Sequence, residues 1–173
     1  MTAPSILVLV SYKVFPAEMG GQKCVTEFYE HVAAQTKVVL AVAKENQVTQ
    51  TVPYQVFPFL YNHWWGVLIV FYLYRLTKLI KAQAIDVIIV EHSYFGWLGL
   101  LLRWFTEKPI VIRSHNIDAL RFCDTRRPWW RLSERHEKRV HREVNHSFII
   151  TEEDKVWVIN TCKQDFRTGQ VIA

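Results

Sequence analysis

The sequence is short of cysteine, glycine and proline, and each shortage excludes a class of protein. Its three cysteines, Cys24, Cys123 and Cys162, are widely spaced and odd in number, which excludes a disulfide framework and fits a reducing compartment. Glycine and proline occur six times each, too rarely for a fibrous or low-complexity chain. The chain also has no GxGxxG motif, which argues against a dinucleotide-binding oxidoreductase.

Long apolar segments and strong charge are missing as well. The longest apolar stretch, residues 64–74, is shorter than the roughly 20 residues that a membrane-spanning helix requires. The apolar run at residues 6–10 is too short for a signal peptide and has no basic segment before it. The net charge of +5 falls short of a dedicated nucleic-acid binder. We therefore expect a cytoplasmic protein without a nucleic-acid partner, either soluble or peripheral at the inner face of the membrane.

What the sequence does have is an alternation of apolar runs and helix-forming segments. Half of its 173 residues are hydrophobic, enough for one domain with a real core. Continuous apolar runs are typical of strands that are buried on both faces of a parallel sheet. The predicted strands are residues 5–11, 37–43, 54–59, 86–91, 109–114 and 146–150, and helices are predicted after Gly21 and over residues 63–83, 95–105, 128–144 and 152–161. This order predicts an α/β fold: a Rossmann-like, doubly wound parallel sheet with helices on both faces.

Polar residues recur where the predicted strands end, and these positions are candidates for a binding site. In open α/β sheets, ligands bind beyond the carboxyl ends of the strands. The candidates at these ends are Gly20, Gly21, His92, His115, Asn116, Thr151 and Glu152. We expect them to face a common groove.

The glycine pair and the histidines have the most specific predicted roles in ligand binding. Gly20 and Gly21 open a predicted helix, where backbone N–H groups favour a diphosphate or sugar phosphate; the alternative is a turn that needs a positive φ angle. His115 is placed to orient a hydroxyl, move a proton or contact a phosphate, and His92 has the same position one strand earlier. A structural role is the alternative for each histidine. Asn116 and Asp118 are both candidates for the N-cap of the next helix, and for Asp118 this role is favoured.

Neither a metal site nor another cofactor is predicted. The remaining clustered histidines, His136, His141 and His146, are five residues apart and therefore do not share one helical face.

Two segments combine aromatic and basic residues in a way that suits a membrane surface. The predicted helix over residues 63–83 begins with Trp64 and Trp65 and turns basic at Arg75 and Lys78. The alternative is that this helix is buried against the sheet with its basic end in water.

The second segment covers residues 121–142 and is rich in arginine around Trp129 and Trp130. It suits lipid headgroups, a phosphorylated acceptor or nucleic acid. The alternative is a solvated helix face on which Glu134 pairs with Lys138.

Four segments, taken in order, identify a family. They are FPAEMGG, DVIIVEHSYFG, KPIVIRSHNIDALRF and RLSERHEKRVHREVNHSFIITEED. The order resembles the N-terminal domain of family-4 glycosyltransferases with the GT-B fold, over essentially the whole chain. The most specific features are the strand that ends in His115 and Asn116, with Arg121 after it, and the step from a strand to Thr151.

The resemblance implies an enzyme with two Rossmann-like domains that face a cleft. The N-terminal domain, here residues 1–173, binds the acceptor, and a C-terminal domain binds the nucleotide-sugar. The sugar, a hexose, is transferred with retention of configuration and without a divalent metal. Many members act at the cytoplasmic membrane face on lipid or polysaccharide acceptors, as in cell-envelope polysaccharide synthesis.

The resemblance also assigns roles to single residues. Gly20 and Gly21 match the loop that approaches the donor diphosphate and the acceptor. His115 matches the histidine near the transferred sugar and is the candidate catalytic residue. Thr151 and Glu152 match the polar strand end near the cleft. His92, Asn116 and Arg121 complete the candidates for binding phosphate or acceptor.

One feature departs from the family's pattern. The acidic motif that grips the donor is absent, and residues 170–173 look like the start of a strand that leads to a second domain. We therefore expect this chain to be inactive alone. Two alternatives stay open: a stand-alone Rossmann-like module that binds a phosphorylated ligand, and a peripheral membrane adaptor.

Overall fold

The protein is an α/β fold built on a six-stranded parallel sheet with helices on both faces, as predicted. The computed structural model describes residues 3–60 and 69–162. The strands are β1 (Ile6–Val10), β2 (Val38–Ala43), β3 (Gln55–Leu60), β4 (Val87–Glu91), β5 (Ile110–Ser114) and β6 (His146–Ile149). The helices are α1 (Gly20–Ala33), α2 (Ile69–Ala82), α3 (Gly96–Thr106), α4 (Asp118–Asp124), α5 (Trp130–Glu143) and α6 (Glu152–Cys162).

The strand order is β3-β2-β1-β4-β5-β6, the order of a Rossmann sheet. β1 pairs in parallel with β2, with Ile6 opposite Val38, and β5 pairs in parallel with β6, with Val111 opposite His146. Every residue of β2 is buried, as expected for an apolar strand covered on both faces.

Contacts divide the chain into two compact units, Met1–Ile88 and Ile89–Ala173. The first unit holds β1, β2, β3, α1 and α2. The second unit holds the end of β4, the strands β5 and β6 and the helices α3 to α6. A cluster in this second unit joins α4, β6 and α6, and its members are Ile117, Ala119, Ile149, Val158 and Cys162.

Two glycines of α3 are explained by close packing inside the second unit. A Cβ at Gly96 would lie 2.4 Å from Val140 Cγ1, and a Cβ at Gly99 would lie 2.9 Å from Val90 Cγ2. Glycine therefore lets α3 approach both α5 and the sheet closely.

The helix predicted over residues 63–83 is seen as α2 from Ile69 onward. Trp64 and Trp65 lie outside the described residues, as do residues 170–173. α2 buries Tyr72, Leu76 and Ile80, which are four residues apart, and exposes Arg75 and Lys78. The described part of this helix therefore has one packed face and one basic face.

The structure also contains a helix that the sequence pattern did not separate. α4 is two turns long and ends at Asp124, whereas the prediction placed one charged helix over residues 128–144. A helix start near Asp118 is expected from the N-cap assignment, but the bounds of α4 were not predicted, and its N-terminus is stabilised by a side chain from far along the chain, described below.

Candidate functional site

Gly20 and Gly21 are the first residues of α1, in the first unit. No described glycine has a positive φ angle, so the alternative of a turn that requires one is wrong. A Cβ at either position would meet nothing within 4 Å. Neither backbone conformation nor packing thus explains these two glycines, in contrast to Gly96 and Gly99.

The loop that leads into α1 is fixed by two buried amides that sequence reasoning missed. Gln22 Oε1 accepts hydrogen bonds from the N–H groups of Glu18 and Met19, at 2.8 and 2.9 Å. Asn46 Oδ1 accepts from the N–H groups of Val14 and Phe15, at 2.7 and 2.8 Å. The loop is therefore held in one shape, with Gly20 and Gly21 at its end.

A dense group of charged and aromatic side chains lies at the ends of β4 and β5, entirely within the second unit. We call Glu91, His92, Arg113 and His115 the β4–β5 polar cluster. Glu91 has no exposed surface and Arg113 has 6 %. Arg113 Nη1 donates to both carboxylate oxygens of Glu91, at 3.2 and 3.1 Å. Burying this pair costs desolvation energy, which the mutual ion pair offsets.

His115 is held against this ion pair. Its Nε2 lies 2.7 Å from Glu91 Oε2 and 2.9 Å from Arg113 Nη1. The side chain keeps 16 % of its surface exposed. The histidine is thus fixed from one side and reachable from another.

His92 occupies a strained position directly after β4. Its φ of 71° and ψ of 136° lie outside the regions that non-glycine residues favour. Its ring stacks on the His115 ring, with centroids 4.9 Å apart and planes 29° apart. Burial first, and then the nearby His115, lower the pKa of His92 to about 4, so the ring is neutral at neutral pH. Strain of this kind concentrates at functional sites.

The turn after β5 carries further candidates. Ser114 Oγ donates to the Asn116 carbonyl at 2.8 Å, while Asn116 Oδ1 is buried and accepts no hydrogen bond from the described residues. Arg121 Nη2 lies 2.7 Å from Asp118 Oδ1. Burial raises the pKa of Asp118, against the opposing charge of Arg121.

The prediction that Asp118, or alternatively Asn116, is the N-cap of α4 is wrong. Ile117 is the N-cap residue, and the acceptor comes from α5 instead. Glu137 Oε1 accepts from Asp118 N–H at 3.1 Å, Glu137 Oε2 accepts from Ala119 N–H at 2.7 Å, and Ser93 Oγ also donates to Glu137 Oε1. Glu137 thus accepts hydrogen bonds from the free N–H groups at the start of α4, as the side chain of an N-cap residue usually does.

Glu137 has no exposed surface. Burial raises its pKa to about 7, against the opposing effect of the Ser93 hydroxyl and the backbone donors. Sequence reasoning missed Glu137, although a signal existed. The residue lies three and four positions before Val140 and His141, which share the buried face of α5.

Thr151 and Glu152 follow β6 as predicted, but both have local partners. Thr151 Oγ1 accepts from the Asp154 N–H at 3.2 Å, which caps α6. Glu152 is paired with Lys155 at 3.3 Å. Within the described residues, neither forms a hydrogen bond with the β4–β5 polar cluster. Their role at a cleft stays a prediction.

The exposed part of the arginine-rich segment, on α4, on α5 and in the turn between them, is a basic and aromatic surface. The predicted Glu134–Lys138 pair is present, at 2.8 Å. Arg127 lies over the Trp129 ring and Arg131 over the Trp130 ring, with centroid distances of 5.6 and 5.4 Å. The exposed apolar side chains of this surface are Leu120, Trp129 and Leu132.

The described residues contain no group of three or more histidine, cysteine, aspartate or glutamate side chains that could hold a metal ion. None of their helices is both long and apolar enough to cross a bilayer.

Known structures share this fold at low sequence identity. Sucrose-phosphate synthase from Thermosynechococcus elongatus matches with a TM-score of 0.72 and 13% identity, over 97% of this chain and 47% of that one. Anabaena Alr3699/HepE, in complex with UDP and glucose, matches with a TM-score of 0.63 and 14% identity, over 98% of this chain and 44% of that one. UDP-N-acetylglucosamine 2-epimerase from Rickettsia bellii matches with a TM-score of 0.61 and 14% identity, over 91% and 42%. This chain thus spans less than half of each of these structures.

The family follows from the sequence itself. Comparison with curated proteins gives no match. The sequence profile of Glycosyltransferase Family 4, in contrast, matches residues 20–168, most of the chain. The structural likeness agrees with the Rossmann-like half of the GT-B architecture. The chain belongs to glycosyltransferase family 4.

Proposed function

We propose that this chain is the acceptor-side, N-terminal domain of a glycosyltransferase that transfers a hexose from a nucleotide-sugar to a lipid or saccharide acceptor, with retention. Family membership supports sugar transfer. The observation that carries the site is the β4–β5 polar cluster, in which a buried carboxylate and a strained, neutral His92 hold His115 in place. This chain spans less than half of the structures named above, and the proposal includes a separate donor-binding domain without which the chain is inactive.

Each candidate residue, taken within its own unit, has a proposed chemical role. His115 lies near the transferred sugar and contacts a hydroxyl group. The N–H groups at Gly20 and Gly21 stabilise the negative charge of the donor diphosphate, as helix N-termini do for anions. Asn116 offers a buried Oδ1 without a hydrogen-bond donor among the described residues, which suits a further hydroxyl. Arg121 is half exposed and suits a phosphate or a charged acceptor.

Transfer can be tested with the full-length protein, by following the release of the nucleoside diphosphate from candidate nucleotide-sugars. Replacing His115 by alanine should lower kcat by about 100-fold or more while the fold persists, because a positioned side chain contributes on that scale. His31→Ala is the matched control, since His31 is exposed on α1 and, among the described residues, bonds only the Glu27 carbonyl. Turnover by His115→Ala equal to wild type would make His115 structural. If tight binding of a phosphorylated ligand occurs without any transfer, the alternative of a stand-alone binding module holds.

A peripheral membrane contact is part of this proposal, because many lipid-linked acceptors lie at a membrane. The surface on α4 and α5 supports it, since exposed Trp129 and Leu132 stand beside Arg127 and Arg131. Arg75 and Lys78, on the basic face of α2 in the first unit, are a second candidate contact, and Trp64 and Trp65 lie outside the described residues.

Vesicles test this contact. We expect the protein to pellet with phosphatidylcholine vesicles that contain phosphatidylglycerol, and less with phosphatidylcholine alone. The double variant Arg127→Glu and Arg131→Glu should lose this binding. The charge-matched variant Lys13→Glu and Lys23→Glu, on the first unit, should keep it. No pelleting of the wild type with anionic vesicles would contradict the contact.

A further inference from the structure

We propose that Glu91 is a positioning residue that keeps the proton of neutral His115 on Nε2, so that Nδ1 is the atom that accepts a hydrogen bond from a substrate hydroxyl. The first half of this proposal concerns the protein alone. The second half rests on the proposed function. Two observations carry it: His115 Nε2 has two close neighbours, and His115 Nδ1 has no hydrogen-bond partner among the described residues.

His115 Nε2 has two close neighbours, one of which requires a proton on Nε2 and the other a lone pair. The Glu91 carboxylate, 2.7 Å away, has only lone pairs and needs a proton between the atoms. The Arg113 guanidinium, 2.9 Å away, has only N–H groups and would need a lone pair on Nε2. One proton position satisfies only one of these neighbours.

The available hydrogen-bond acceptors decide whether His115 Nε2 carries the proton. Arg113 Nη1 also has both Glu91 oxygens, at 3.1 and 3.2 Å, so its hydrogens have acceptors without His115. With the proton on Nε2, both this proton and the Arg113 Nη1 hydrogens can therefore face a Glu91 oxygen. Without it, a lone pair of the ring would face a buried carboxylate at 2.7 Å, which is repulsive. The geometry favours the Nε2–H form.

The other ring nitrogen then becomes the functional atom. None of the described residues forms a hydrogen bond with His115 Nδ1, and the side chain is partly exposed. In the Nε2–H form, Nδ1 carries a lone pair. A lone pair accepts from a hydroxyl and repels a phosphate oxygen, so the hydroxyl role is favoured over the phosphate role. Stacking on His92 and the bond to Glu91 together fix the ring, as a third group orients the base in catalytic triads.

The proton position can be measured without any substrate. Ring nitrogens of ¹⁵N-histidine-labelled full-length protein are correlated with the ring C–H protons by NMR, and the His115 signals are identified by their loss in His115→Ala. For the neutral ring of the wild type we expect a single form, protonated at Nε2. A His115 ring that is protonated at Nδ1 would overturn the proposal.

Variants then test whether Glu91 is the cause. In Glu91→Gln, an amide that both donates and accepts replaces the carboxylate, so we expect the Nδ1–H form to appear. Arg113→Lys disturbs the same buried pair but keeps the carboxylate, and should keep the Nε2–H form. Loss of the Nε2–H form in Arg113→Lys, or its full retention in Glu91→Gln, would overturn the role of Glu91. Should Glu91→Gln fail to fold, the wild-type and Arg113→Lys spectra still decide.

Turnover gives an independent readout. Glu91→Gln should lower kcat about tenfold or more with a small change in KM, because it misplaces a proton and not the substrate. Glu134→Gln, the same change in the paired Glu134 of α5, should leave kcat unchanged. Wild-type kcat in a Glu91→Gln protein that has lost the Nε2–H form would refute the use of Nδ1. If no variant and no wild type transfers sugar, the proposed function fails while the spectra still test the proton position.

Discussion

The two units both bury polar side chains, but they bury different kinds. In the unit Met1–Ile88, Asn46 and Gln22 are neutral amides whose bonds go to backbone groups of nearby loops. In the unit Ile89–Ala173, Glu91, Arg113 and Glu137 are ionisable groups that bond to other side chains or to a helix start. Amides stabilise a loop at low cost, whereas buried ionisable groups are expensive and concentrate at functional sites. The difference points to the second unit as the place of the chemistry.

Glycines show the reverse contrast. In the second unit, Gly96 and Gly99 are required by packing. In the first unit, Gly20 and Gly21 are required by neither packing nor backbone angle. A glycine without a structural reason fits a place where a ligand approaches the backbone.

The largest expected effect comes from Glu137→Ala. It leaves the Asp118 and Ala119 N–H groups and the Ser93 hydroxyl without their acceptor, so we expect a loss of about 3 kcal/mol in the free energy of unfolding. Urea unfolding measures this loss. Glu134→Ala removes only a half-buried pair on the same helix and should cost about 0.5 kcal/mol or less. Equal costs would mean that Glu137 does not hold α4.

The next effect is steric. Gly96→Ala places a methyl group against Val140 Cγ1, where a Cβ would lie only 2.4 Å away. We expect a loss of about 2 kcal/mol, the usual scale of overpacking. The double variant Gly96→Ala and Val140→Ala should recover part of this loss, and a failure to do so would contradict the packing account.

The third effect concerns pH. Because the folded pKa of Glu137 is raised to about 7, the folded protein binds this proton more tightly than the unfolded chain. The associated stability is present below pH about 4.5 and is lost as the pH rises to about 7, by at most about 1.4 kcal/mol per pH unit. His92 and His141, with pKa values lowered to about 4, titrate with the opposite sign.

The effect of Glu137 is therefore isolated by comparison with Glu137→Gln. The free energy of unfolding of the wild type, relative to that of this variant, should fall as the pH rises from about 4.5 to about 7. A difference that does not vary with pH would contradict the raised pKa.

The smallest effect on stability is expected at Gly21, in contrast to the effect at Gly96. Gly21→Ala should be neutral or stabilise the protein by about 0.5 kcal/mol, since alanine suits a helix and finds open space here. The same substitution should lower the rate of sugar transfer by the full-length protein if the donor approaches this backbone. Unchanged transfer would remove the glycine pair from the site.

Much of the fold was predictable, because the strands are continuous apolar runs whose burial the sequence displays directly. The strand from Asp86 to Glu91 and the one from Pro109 to Ser114 are examples. The two histidines were predictable for the same reason, as polar residues that follow such runs.

The supporting residues were harder to predict because their partners are remote in sequence. Glu91 and Arg113 are charged residues inside apolar strands, which indicates that each needs a partner of opposite charge. The sequence does not show that they pair with each other, because they are 22 residues apart. Glu137 caps a helix that begins 19 residues earlier, so no local pattern reveals the cap. For Asp118, the local N-cap rule gave the wrong residue because a remote carboxylate satisfies the helix N–H groups.

The most direct test of the central claim is a crystal structure of the full-length protein with a nucleotide-sugar and an acceptor bound. The account predicts a sugar or acceptor hydroxyl about 3 Å from His115 Nδ1. Bound sugar and acceptor that both lie away from His115 and His92 would contradict it.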